Sequence, residues 1–472
     1  MAIWAPPSPS TTGTTPLDRY FHISERGSTV RTEIIAGLAT WLTMTYIVFV
    51  NPAILGLVKD HTGVTLSRPE VASVTALVAG AMTLLMGAYA NYPFALAAGL
   101  GLNAFVAFTL VGQFGLSWPE AMGVIVIEGL AITVFVLTGL REMILNAVPL
   151  DLKRAIGIGI GLFIALIGLV NANIVIHPMA GTIVTLNPSL KHLTILTFAI
   201  GLAVTATLVA RRIKGALLGG IVFTTVLAAI INTVWGHGKL WLSQGPDVAN
   251  VPHHIPSAPH LALVGHFSFH VAHVVGIGTA LALIITVMLS DFFDTMGTVV
   301  GIAGEAGLLD KEGKLPGINR VLLVDSLAAA AGGAASASSN TTYIESAAGV
   351  SEGGRTGLTS VVVAVMFFAM LFLSSLASVI PNEATAPVLV IVGYFMMVMV
   401  KDINWSDPGI GIPALLTVVM MPFTFSITNG VGAGFIAYTV ISILRGRIRD
   451  VHPLMLLVSA VFGWYFWHGL LP

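Results

Sequence analysis

The chain has 472 residues, of which 56% are hydrophobic and only 9% charged, and its net charge is −1. Soluble domains carry about 25% charged residues, so this composition cannot coat a water-facing surface and reads as an integral membrane protein. The near-zero net charge excludes a basic nucleic-acid surface, and the lack of cysteine excludes disulfides and thiolate metal sites.

Residues 1–30 ("MAIWAPPSPSTTGTTPLDRYFHISERGSTV") are rich in Pro, Ser and Thr and then charged, which reads as a polar N-terminal tail. No charged region followed directly by an apolar stretch stands there, so no cleavable signal peptide is expected. Crossing the hydrocarbon takes about 20 apolar residues as helix. Stretches of that character lie at 32–50, 68–90, 94–113, 118–139, 154–172, 193–210, 215–234, 272–299, 318–334, 341–350, 356–380, 385–401, 410–428, 430–445 and 453–470. Those at 94–113 and 341–350 are short or interrupted by Gly, Ser and Asn. The expectation is an all-α polytopic protein of about fourteen membrane segments with broken third and tenth helices, or fifteen if 453–470 also crosses.

With a cytoplasmic N-terminus, 17 of the 21 Lys and Arg residues fall on inside connections. Only Lys59, Arg68, Lys191 and Lys239 fall outside, the bias that sets orientation in membranes. Seven stretches precede residue 235 and seven, 453–470 aside, follow 271. An odd number per half makes the second half enter from the opposite side, giving inverted repeats. Interrupted segments at matching positions in two such halves point to a transporter's binding site.

Beyond the first three residues of each predicted span lie five acids: Glu128, Asp291, Asp294, Asp325 and Glu345. Each costs a few kcal/mol at a helix centre, so each needs a packed interior or a watery cavity. Asp291 and Asp294 are three residues apart and share a helix face, which Thr295 and Thr298 extend. Neighbouring carboxyls push their proton affinities apart, so one can grip a ligand while the other trades protons; alternatively both bond to adjacent helices. Glu345 follows small hydroxyl and amide residues, Thr341 among them, and falls near the first turn of a short helix, where backbone N–H groups are free. Asn103 is the polar residue of the matching segment, beside Gly99 and Gly101. Asp325, after Arg320, reads as a structural polar anchor near the cytoplasmic mouth. Glu128, alone in "VIVIEGLAI", is either a packing residue or a second proton carrier and is taken as structural. The run "AAAAGGAASAS" suits close helix packing. Seven of the 13 histidines (His237, His253, His254, His260, His266, His270 and His273) crowd the connection at 236–270 and its edge. Their spacing fits no compact ligand motif, so no metal site is expected and the stretch reads as an extracellular loop.

Four motifs, "AGLATWLTMTYIVFVNPAIL", "FALAAGLGLNAFVAF", "DFFDTMGTVVGIAGEAGLLD" and "NTTYIESAAGVSEGGRTGLTSV", closely resemble the AzgA-like purine permeases. These form the hypoxanthine–adenine–guanine branch of the nucleobase–ascorbate transporter superfamily, and the resemblance extends over about residues 17–470. It implies two inverted seven-helix repeats that form a core domain (31–140 and 271–380) and a gate domain (150–235 and 384–446), leaving 450–472 as an additional apolar segment. It further implies import of hypoxanthine, guanine or adenine across the cell membrane, elevator-like motion of the core, protons as the coupling ion with no other cofactor, and a homodimer. Matched positions give substrate contact to Asn103, Asp291 and Glu345, and the proton-linked role to Asp294. Phe94, Phe105, Phe292 and Tyr343 are candidates to stack on a flat base, with Phe94, Phe292 and Thr341 counted among the substrate-binding residues.

Rival readings are a same-fold carrier of xanthine, uracil or an anion, an intramembrane enzyme, and a channel. An anion carrier needs a basic residue at the site, and neither broken segment contains Lys or Arg. An enzyme needs a nucleophile–base set or metal ligands at depth, and the deep segments offer no Cys and no His apart from His273 near one helix end; a channel is disfavoured because the acids are few, clustered and not arranged as a ring.

Overall fold

The computed structural model describes residues 15–139, 147–176, 184–236, 240–241, 256–310 and 315–470. A short helix α1 (Pro16–Phe21) is capped by Thr15. The first apolar stretch divides at Thr45 and Tyr46 into α2 (Val30–Met44) and α3 (Ile47–Leu55). The Thr45 hydroxyl donates back to the Trp41 carbonyl at 2.5 Å, and such bonds bend helices. α4 (Arg68–Leu85) widens into a π-helical turn that Asn91 closes at φ 55°. Strand β1 (Leu96–Ala98) and α5 (Leu100–Ala104), continued as a π-helix over Phe105–Gln113, make up the third stretch. Then follow α6 (Trp118–Thr138), α7 (Leu150–Asn171), a small pair of strands β2 (Val175–Ile176) and β3 (Thr185–Leu186), α8 (Leu193–Ala210) and α9 (Ala216–Val234).

The second half holds α10 (Val271–Val275), α11 (Ile277–Glu305), α12 (Ile318–Ala334), β4 (Asn340–Thr342), α13 (Ser346–Ser351) and α14 (Gly357–Met370). It ends with α15 (Asn382–Met397), α16 (Pro408–Phe423), α17 (Ile427–Leu444) and α18 (Pro453–Leu470). Every apolar stretch read from the sequence thus has a counterpart, and the third and tenth are both interrupted by a strand. Among the described residues, ten spans are long and apolar enough to cross a membrane. The protein is a mostly helical, multi-pass membrane protein.

Packing partners exchange when the halves are exchanged. The contact of α4 with α14 matches that of α12 with α6, and α7 with α16 matches α15 with α8. The hairpin α8–α9 matches α16–α17. Small residues set the closest of these approaches. A methyl on Gly129 would lie 2.3 Å from the Ala330 nitrogen, and one on Gly333 would lie 2.8 Å from the Val126 nitrogen. α6 and α12 therefore touch backbone to backbone, as small residues allow in membranes. The last apolar stretch also forms a helix, α18, which packs on α17 and α11: Ser459 bonds Thr439 at 2.7 Å, and the Trp464 ring lies against Gly278.

Candidate functional site

The two interrupted segments meet. β1 and β4 pair antiparallel, with Leu96 opposite Thr342, Ala97 opposite Thr341 and Ala98 opposite Asn340. Gly99 N–H donates to the Ser339 carbonyl and Tyr343 N–H to the Ala95 carbonyl, each at 2.9 Å. Irregular backbone at membrane depth needs such internal partners, and here each broken segment supplies them to the other. The lead into β4 bends sharply, with Ser336 and Ser338 at φ 57° and 69°. It fits only because Gly332 has no side chain, since a methyl there would lie 2.0 Å from the Ser338 carbonyl oxygen. α11 runs past both segments and carries its polar stripe to them.

All five acids expected within the spans belong to this region. Asp325 is buried and ties β4 to α12: its Oδ1 accepts from Thr342 N–H at 2.8 Å and from the Thr342 hydroxyl at 2.7 Å. Its Oδ2 accepts from the Thr295 hydroxyl at 2.7 Å. Asp325 therefore anchors β4 to α11 and α12 through Thr342 and Thr295. Asp291 is 1% exposed; Oδ2 lies 3.3 Å from the Ser339 hydroxyl, and Oδ1 has no partner among the described residues. Glu128 is fully buried beside it, with Oε2 3.5 Å from the same hydroxyl and Oε1 unpartnered.

Asp294 and Glu345 lie on the open side of the site. Asp294 is exposed, as are Gly297 and Gly301 further along α11, where an added methyl would meet nothing within 4 Å. Glu345 is half-buried at the N-terminal cap of α13 and accepts from the Tyr46 hydroxyl at 2.7 Å. Asp294 lies one helical turn along α11 from the buried Asp291.

Asn103 is fully buried in α5, and neither its side-chain oxygen nor its nitrogen has a partner among the described residues. A wholly unpaired buried amide is rare in a native fold. The aromatic candidates are more committed. Phe94 stacks on Tyr92 at 5.4 Å inside an apolar cluster, and Phe292 packs edge-on to Phe293. Phe105 is core, and the Tyr343 hydroxyl donates to the Ala98 carbonyl. Thr341 bonds Thr295 at 2.7 Å.

Sequence reasoning missed Ser339 and Tyr46, which touch the acids, and the buried Glu33 and Glu383. Glu33 accepts from the N–H groups of Arg355, Thr356 and Thr359 and so caps the start of α14. Glu383 accepts from the Trp241 indole at 2.9 Å. Of the loop histidines, His237, His253 and His254 lie outside the described residues.

Paired broken segments that cross beside buried acids, between two halves packed alike, define a secondary-transporter architecture. The chain belongs to the Permease family, whose model matches residues 31–432, and is a transporter. It is 40% identical over 452 residues to adenine permease AdeP of Escherichia coli, covering 96% of each chain. It is 38% identical over 451 residues to guanine/hypoxanthine permease PbuG of Bacillus subtilis, covering 95% of this chain and 98% of that one. In fold it resembles the transmembrane domain of the cyanobacterial bicarbonate transporter BicA (TM-score 0.55, 14% identity, 91% of this chain and 97% of that one). It also resembles SLC26A9 (TM-score 0.61, 13% identity, 88% of this chain and 66% of that one).

Proposed function

We propose that this protein imports purine nucleobases (hypoxanthine, guanine or adenine) across the cell membrane by proton symport, with its N-terminus in the cytoplasm. The observation that carries the cargo is the donor and acceptor set at the crossing of β1 and β4. A purine edge offers N–H donors and ring-nitrogen acceptors. Asp291 and Glu345 accept, and Asn103, with both amide atoms unpaired, does either. The names of the relatives above point the same way, toward adenine and guanine/hypoxanthine.

Asp294, at the open side of the site, is the group that exchanges the coupling proton. A carboxylate desolvated when the site closes needs a proton or a donor. Closure with base and proton aboard together therefore couples their movement. Residues 31–140 and 271–380 act as the core that carries the site past a gate of 150–235 and 384–446 in an elevator-like motion, in a homodimer. Helices of the first group (α4, α6, α12, α14) pack mainly on one another, as do those of the second (α7, α8, α9, α15, α16, α17). That grouping supports a relative motion of two bodies.

The test is uptake of radiolabelled hypoxanthine, guanine, adenine, xanthine and uracil by cells lacking their own permeases. Purine uptake above the empty-vector control, lost in Asp291→Ala, is expected. Uptake of uracil or xanthine alone would overturn the cargo assignment. Asp294→Asn should abolish the dependence of uptake on external pH; a retained dependence moves the proton role elsewhere.

A further inference from the structure

Glu128 plays no part in the proposal above, yet it is held inside the site. Gly129, next in the chain, seats α6 against Ala330 of α12, and this contact brings the Glu128 carboxyl to Asp291 and Ser339. The Ser339 hydroxyl lies 3.3 Å from Asp291 Oδ2 and 3.5 Å from Glu128 Oε2, so the two carboxyls flank a single donor. A hydroxyl has one proton and serves one acceptor at a time, while an ionised carboxyl only accepts. The cluster is thus one donor short, and Glu128 Oε1 and Asp291 Oδ1 are the two oxygens without a partner.

Among the described residues, no cation fills the gap. The titratable groups acting on the pair are Asp294 from α11 and Asp325 from α12, both acids, and Glu345 stands beyond Asp294. Neither carboxyl is in an ion pair among the described residues. Asp325 is occupied by Thr295 and Thr342 and has no proton to lend.

We propose that Glu128 and Asp291 form a carboxyl pair that holds one proton between them, and that a nucleobase N–H binds Asp291 while that proton stays on Glu128. This inference deepens the purine reading and rests on it. The proton balance is simple: the shared O–H remains on Glu128, the base N–H becomes the second donor to Asp291, and no other bond changes. Base and proton then stabilise each other at the binding step, separately from the exchange at Asp294. By linkage, affinity falls about tenfold per pH unit once the pair loses its proton.

The test is equilibrium binding of radiolabelled guanine to purified protein between acid and alkaline pH, with Glu128→Gln and Asp294→Asn beside the unmutated protein. The Gln amide donates to Asp291 permanently, so the expected result is binding that no longer varies with pH. Asp294→Asn should keep the unmutated slope for binding while losing pH-dependent uptake. A Glu128→Gln variant with the unmutated slope, or an unmutated protein whose binding is flat, overturns the carboxyl pair. Infrared difference spectra provide a readout that needs no purine. A protonated-carboxyl C=O band should vanish in Glu128→Gln and shift in Asp291→Asn, which changes its acceptor; a band unchanged in Glu128→Gln overturns the proposal. If the infrared band behaves as expected but no purine binds, the functional reading fails and the pair survives.

Discussion

Asp325→Ala is the perturbation whose consequence the structure fixes most closely. Asp325 accepts three hydrogen bonds, two from Thr342 and one from Thr295, at 2.7–2.8 Å. Truncation leaves Thr295 with Thr341, still 2.7 Å away, but strands the N–H and hydroxyl of Thr342, which is 2% exposed. Each stranded buried donor costs about 1–3 kcal/mol, or about 2–6 kcal/mol for the two. Hydrogen bonds inside membrane proteins average only about 0.6 kcal/mol, because the unfolded chain in the bilayer finds other partners. The expectation therefore lies near the lower end, about 2 kcal/mol. Asp325→Asn keeps one acceptor oxygen and should cost about half as much. β4 carries Thr341 and leads directly to Glu345, so loosening it should also weaken guanine binding about tenfold, which corresponds to 1.4 kcal/mol. The assay is a pair of measurements on detergent-solubilised protein: melting midpoint and equilibrium guanine binding. A graded loss, Ala worse than Asn in both, is expected. An Ala variant that melts and binds like the unmutated protein would refute the reasoning, because β4 would then owe nothing to Asp325.

Asn103→Ala should raise the KM for purine uptake about tenfold while leaving the melting midpoint unchanged or higher, since the amide it removes has no partner among the described residues. A lowered midpoint with unaltered KM would make the amide structural. Glu33→Ala should do the reverse: the lost cap on α14 lowers stability by about 2–4 kcal/mol, read as a lower melting midpoint, with KM preserved in whatever protein folds. Gly278→Ala should destabilise the packing of α18 on α11 by about 1–3 kcal/mol, because the added methyl would lie 1.8 Å from the Trp464 ring. Trp464→Ala in the same chain should recover most of that loss, and a double variant no better than the single one would show that α18 does not press on α11.

The helical stretches were legible because apolar length alone marks them, and the two broken segments because Gly, Ser and Asn interrupt them at matching places. Asp291 and Glu345 stood out as charges in apolar surroundings. Glu128 stood out equally, but its partnership with Asp291 did not. Glu128 reaches Asp291 only through the approach of α6 to α12 at Gly129 and Gly333, a contact between residues far apart in the chain. Ser339 and Tyr46 are ordinary residues until β4 and α2 bring them to the carboxyls. Glu33 looked like an acid in a helix's first turn, and its four acceptor contacts with the start of α14 depend on tertiary packing. The stacking aromatics show the converse. Phe94 looked available beside Asn103, but the fold gives its ring to Tyr92.

The most direct test is purine accumulation in liposomes containing only this protein, with an imposed pH gradient. Radiolabelled guanine should concentrate inside when the exterior is acidic, collapse to equilibrium when a protonophore is added, and fail to enter with Asp291→Ala or Glu345→Ala. Undiminished uptake by either variant, or accumulation indifferent to the gradient, would contradict a nucleobase and a proton sharing these carboxyls.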